Sequence, residues 1–153
     1  MKVSSTVSSA VLGIVAVACI SLPSLRADET SDRKKLYGTW TGFVVEGRGL
    51  RTDRGPVSLE LVITPKGIKS KPGAREDLGE GTFKLGQAKA AGIMDATRTS
   101  YPRKGEVYLG IYTIEGDTLK WCTANPGKPR PSEFMTRPSS GQFYMVMKRQ
   151  KSK

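Results

Sequence analysis

The chain has 153 residues, with 25 Lys and Arg against 14 Asp and Glu, two cysteines, no histidine and a net charge of +11. Without histidine it lacks the commonest general base, triad partner and metal ligand. Two cysteines and scattered acids have no metal-ligand spacing, so composition argues against an enzyme and implies neither a metal nor a cofactor.

Met1-Lys2 is a short positive start, and an uncharged, largely apolar run follows from Val7 to Leu22. Pro23 ends the run, and Ser24-Leu25-Arg26-Ala27 precedes the first acids, Asp28 and Glu29. These are the three parts of a secretory signal peptide, and the run is shorter than the roughly 20 residues of a spanning helix. Residues 1–27 are therefore expected to be removed after Ala27, with the protein exported to the periplasm or cell exterior. Ala16-Val17-Ala18 before Cys19 offers a second exit, as a lipoprotein anchored through Cys19, and membrane attachment is expected only in that case. Loss of residues 1–27 leaves 126 residues. Lys2 and Arg26 go with the signal, which takes Lys and Arg from 25 to 23 against 14 acids, a net charge of +9. Cys122 is then the only cysteine, so the domain cannot form an internal disulfide and must rely on its core.

Residues 28–35 are charged and without apolar pattern, which predicts a flexible leader before a domain spanning 36–150 and a basic tail at 151–153. Leu36 to Glu46, rich in Thr, Val and aromatics, reads as a first strand. A glycine-punctuated basic loop follows, with Arg48, Arg51 and Arg54. Val57 to Thr64 alternates, with Val57, Leu59, Leu61 and Ile63 on one face, as a half-buried strand should. Pro65-Lys66-Gly67 is a turn, and Ile68 begins a short strand that ends by Lys71-Pro72-Gly73. Gly81 to Gly86 is a weaker strand carrying Phe83 and Leu85. Ala90 to Thr97 reads as a strand or a helical turn, and Thr99 to Gly105 as a polar loop; strand layout between Gly73 and Gly105 is the least defined.

Val107 to Ala124 carries the sharpest local pattern. Two alternating runs flank Gly116-Asp117, a pair suited to a two-residue hairpin turn. With that turn Ile114 faces Leu119, Tyr112 faces Trp121 and Ile111 faces Cys122. Asn125 to Pro131 is a Pro, Gly and basic loop. Gln142 to Arg149 is a last strand with Phe143, Met145, Met147 and Arg149 on one face. Seven or eight short strands with turns between them and no βαβ alternation imply an all-β sandwich or closed barrel.

Gly38-Thr39-Trp40 in the first strand and Arg149 in the last resemble the Gly-x-Trp signature of the lipocalin superfamily. The resemblance implies an antiparallel barrel of about eight strands, closed where Gly38, Trp40 and Arg149 meet. A longer pattern is also present: Leu36-Tyr37-Gly38-Thr39-Trp40, Gly110-Ile111-Tyr112, Gly116 to Cys122, Arg130-Pro131-Ser132-Glu133-Phe134 and Lys148-Arg149. In that order it is similar to an uncharacterised lipocalin-like domain family abundant in planctomycete bacteria. That family brings a fold but no activity.

Candidate sites follow from this fold. No acid rises above a solvated carboxylate, and Cys122, without a histidine to activate it, reads as a buried packing thiol. No catalytic residues are expected. An eight-strand barrel either encloses one small ligand or is filled by its own side chains, and Tyr112, Trp121, Phe143, Met145 and Met147 would line such a cavity. The leading expectation is thus an exported binding protein for a small, mainly apolar ligand. The alternative is an envelope-associated protein with a filled barrel, holding anionic polymers or surfaces through its basic loops: Arg48, Arg51 and Arg54; Lys66, Lys69, Lys71 and Arg75; Arg98, Arg103 and Lys104. Aromatics do not interleave with these charges, so no nucleic acid partner is expected.

Overall fold

The computed structural model describes residues 25–44, 57–71, 79–137 and 139–151. Most of the segment expected as a signal, through Ser24 and including Cys19, lies outside the described residues, as do the loop residues Arg48, Arg51, Arg54 and Arg75.

Among the described residues one helix, α1 (Leu25–Leu36), precedes nine strands: β1 (Gly38–Val44), β2 (Val57–Thr64), β3 (Gly67–Ser70), β4 (Glu80–Gln87), β5 (Gly92–Arg98), β6 (Val107–Tyr108), β7 (Gly110–Glu115), β8 (Thr118–Ala124) and β9 (Gln142–Arg149). They form one sheet in the order β4-β3-β2-β1-β9-β8-β7-β5-β6, and β4 also pairs with β5. Every pairing is antiparallel. The β4–β5 pairing closes the sheet on itself, and β6 and β7 are two pieces of one broken strand. The fold is a closed, eight-strand, lipocalin-like β-barrel, which among the described residues leaves no long edge unpaired.

Alternation decides what fills the barrel. Leu59, Leu61 and Ile63 of β2 are buried, as are Leu119 and Trp121 of β8 and Phe143, Met145 and Met147 of β9. They join Trp40, Phe83, Met94 and Tyr112 in one core cluster. The hairpin register is the expected one, with Ile114 opposite Leu119, Tyr112 opposite Trp121 and Ile111 opposite Cys122. Gly116 takes the positive φ, +57°, that the turn needs. Of the stretch read from Ala90 to Thr97, Gly92 onward is strand β5 (Gly92–Arg98) rather than a helical turn, paired along its whole length with β4, and Ala90-Ala91 are bend residues before it.

The N-terminal lead-in differs from the sequence reading. Residues 28–35, expected as a flexible leader, belong to α1, and Leu36, expected in the first strand, is the last residue of that helix. The helix has no apolar stripe to reveal it. Its last turn carries Arg33, Lys34 and Lys35, which complement the negative end of the helix dipole. Docking holds it in place: Leu36 is fully buried in the barrel core, and the Arg33 guanidinium stands 4.9 Å from the Phe83 ring centre. The Tyr112 hydroxyl donates to Asp32 at 3.2 Å.

Candidate functional site

Two ends of the barrel differ. At the α1 end, Trp40 is fully buried and its indole N–H donates to the Leu36 carbonyl at 2.7 Å. Arg149 lies opposite it in the β1–β9 register, with its guanidinium 4.2 Å from the Trp40 ring centre. The guanidinium also donates to the carbonyls of Tyr37, at 2.6 Å, and Lys35, and its Nε lies 3.3 Å from Asp117. Gly38 makes room for this group. Its φ is +138°, and a Cβ there would sit 2.9 Å from the Arg149 guanidinium, so the glycine is required both for conformation and for space. Gly38, Trp40 and Arg149 therefore form one packed closure, with α1 as its lid.

Midway along the barrel the ladder between β5 and the broken strand is interrupted. Ile93 pairs with Ile111 and Ala96 with Tyr108, in one continuous register, so Met94 and Asp95 face Gly110 and Leu109 without a ladder bond. Other groups satisfy the interruption. The Trp121 indole donates to the Met94 carbonyl at 3.2 Å, and the Gly110 N–H donates to the Asp95 carboxylate at 3.0 Å. Arg130 donates to the Gly110 carbonyl at 2.8 Å and takes Asp95 with both terminal nitrogens, one of them at 3.0 Å. The Leu109 carbonyl accepts from the Ala124 N–H at 2.9 Å. Four of the freed backbone groups of this stretch thus find partners. The bond to Asp95 raises the Arg130 pKa above its already high ordinary value.

Arg130 also anchors the segment from Asn125 to Gly141, which covers the outer face of the barrel. Beneath it lie Ile111 and Cys122, both buried, and Tyr144, whose ring centre is 6.3 Å from that of Phe134. The Cys122 thiol is free and fully buried, and burial pushes its pKa up to about 11. A thiol held protonated is a packing group rather than a nucleophile. Cys122 therefore belongs to this outer layer, not to the barrel lumen.

The end of the lumen away from Trp40 holds a cavity of about 50 Å³. Val44, Trp121, Phe143 and Met145 supply apolar wall, and Tyr108 and Arg98 stand among the residues around it. Of the residues read as lining a cavity, Trp121, Phe143 and Met145 border this one, and Tyr112 and Met147 stand elsewhere in the barrel. Tyr112 is buried but spends its hydroxyl on Asp32 of α1, while Met147, opposite Gly42 and Leu119, lies in the fully packed part of the core. The barrel is thus mostly filled and partly hollow. Its cavity is roughly a third of the about 150 Å³ that takes a benzene-sized ligand. A wider recess of about 220 Å³ lies among Ser132, Glu133, Met135, Arg137 and Ser140 of the covering segment and Gln142 of β9; apart from Met135 these side chains are polar.

Two of the basic residues read as a loop cluster are paired with acids. Lys69 lies 2.6 Å from Glu80, which raises its pKa through that hydrogen bond, and Lys71 pairs with Glu60. Among the described residues no three Cys, Asp or Glu side chains come together as a metal-binding group. The Asp95–Arg130 pair and the role of α1 went unread in the sequence. Arg130 stood within the longer motif, but nothing in one dimension says that its partner lies on β5. The chain matches no protein-family profile, no curated protein and no solved structure.

Proposed function

We propose that this chain is an exported lipocalin-like binding protein that holds a small, mainly apolar ligand in the barrel, and that it belongs with the planctomycete lipocalin-like domains that its motifs resemble. The observation that carries the reading is the cavity between Val44, Trp121, Phe143 and Met145. A closed barrel sealed at one end by α1 and hollow towards the other is the arrangement by which such folds hold one small molecule. The size of the hollow limits the buried part of the ligand to a few carbons. Met145 gives the wall some adaptability, because its unbranched thioether side chain repacks at low cost.

Native mass spectrometry of the purified protein tests this. The expected result is a small adduct, or uptake of short apolar probes, that is lost on denaturation. A bare barrel that takes up no probe, together with salt-sensitive retention on heparin, would overturn it in favour of a filled barrel working through its basic loops.

A further inference from the structure

On the inward face of β5, Met94 is followed by Ala96 and then, at the end of the strand, by Arg98. Alternation along the strand places all three on one side. Met94 is fully buried, Ala96 packs against the core, and Arg98 reaches the cavity. Its neighbours leave space for it. Gly81 lies opposite it in the β4–β5 register, and a Cβ on Gly79 would sit 2.7 Å from one terminal nitrogen of the guanidinium.

A guanidinium turned towards an apolar cavity is costly unless its donors are received. Nε of Arg98 donates to the Ser100 hydroxyl at 3.2 Å, and among the described residues the two terminal nitrogens have no acceptor. Glu80, the acid beside the same cavity, is engaged by Lys69. Tyr108 directs its hydroxyl to Glu106 at 2.8 Å. The cavity therefore combines an apolar wall with one cation whose fork of donors is unspent.

Building on the proposed binding function, we infer that the ligand is an anionic amphiphile: a short apolar end enters between Trp121, Phe143 and Met145, and a carboxylate-like head pairs with Arg98. The planar fork of arginine receives two oxygens of one carboxylate at once. A neutral apolar molecule would leave that fork without a partner.

The test uses the purified protein with hexanoate and 1-hexanol, which share a tail and differ in the head. The readout is the NMR signal of the Trp121 indole N–H, which belongs to the cavity wall. The expected result is hexanoate binding about tenfold or more tighter than hexanol, as loss of a charged hydrogen-bond pair implies. Arg98→Gln should remove this preference by weakening hexanoate far more than hexanol, and Arg98→Lys should keep part of it. Unshifted Trp40 and Trp121 signals in the ligand-free variants establish that they fold. Equal binding of the two probes, or a preference that survives Arg98→Gln, would overturn the head-group inference while leaving the cavity as a binding site. Failure of both probes to shift Trp121 at millimolar concentration would overturn the binding function and the inference with it.

Discussion

Arg149 sits directly opposite Trp40 across the β1–β9 pairing, its guanidinium 4.2 Å from the centre of the indole ring. The two residues come from the first and last strands, so their contact is also the contact between the two ends of the barrel sequence. Stacking on the ring, two carbonyl acceptors and Asp117 together receive a cation aimed at an apolar core.

Arg149→Lys is expected to cost about 1–2 kcal/mol, because lysine keeps the charge but loses the flat stack and the fork. Trp40→Leu is expected to cost about 3 kcal/mol through the cavity it leaves. The double mutant should lose less than the sum by about 0.5–2 kcal/mol, since the stack can be lost only once. Chemical denaturation of the three variants measures this. Additive losses, or an Arg149→Lys variant as stable as the parent, would show that the stack contributes nothing.

Arg130→Ala should destabilise the domain by about 1.5–3 kcal/mol, as removal of a part-buried charged hydrogen-bond partner does. The effect should be local as well as global. Amide hydrogen exchange should quicken between Asn125 and Gly141 and at Gly110, while the β1–β2 amides keep their protection. Uniform exchange across the barrel would mean that Arg130 does not pin the covering segment.

Gly110→Ala addresses the same interruption from inside. A Cβ there would approach the Trp121 indole nitrogen to 2.6 Å and the Met94 carbonyl to 2.7 Å. One of the two must shift, so the indole hydrogen bond should break and the Trp121 N–H resonance should move. A loss of about 1–3 kcal/mol is expected for such overpacking. An unchanged Trp121 resonance would exclude this packing.

Cys122 should resist a bulky thiol reagent in the native protein and react on unfolding. Its folded pKa is raised from 9.0 to about 11. A raised pKa means that the unfolded chain gives up its proton first as pH climbs. The contribution is therefore intact below about pH 9 and is lost as pH rises from there to about 11, at up to about 1.4 kcal/mol per pH unit. Cys122→Ala should lower stability overall and remove this component of the alkaline loss. Identical pH profiles of the two proteins would exclude it.

Export is open to a direct measurement. Expressed in a bacterium with its own leader, the protein should be recovered with Asp28 at or near its N-terminus, as read by intact-mass analysis. Recovery from the cytoplasm with residues 1–27 attached would exclude the signal peptide reading.

Local pattern alone determined much of the barrel. Period-two alternation in Val57–Thr64, Val107–Ala124 and Gln142–Arg149 marks strands with one buried face, and a one-residue slip would turn every apolar side chain outwards. The Gly116-Asp117 turn then dictates the pairing of Tyr112 with Trp121. Helix α1 was not legible, because its helicity carries no apolar period and depends on burying Leu36 and placing Arg33 and Asp32 on distant strands. Nor could alternation tell which inward residues meet a cavity. Tyr112, Trp121, Met145 and Met147 are equivalent in pattern, yet α1 takes up Tyr112 and close packing takes up Met147. The same limit applies to Arg98 and Asp95, which look in sequence like ordinary charges near a strand end. Closure of β4 onto β5 and the broken strand beside β5 gave one a place at the cavity and the other a partner in Arg130, through contacts between segments that only the folded chain brings together.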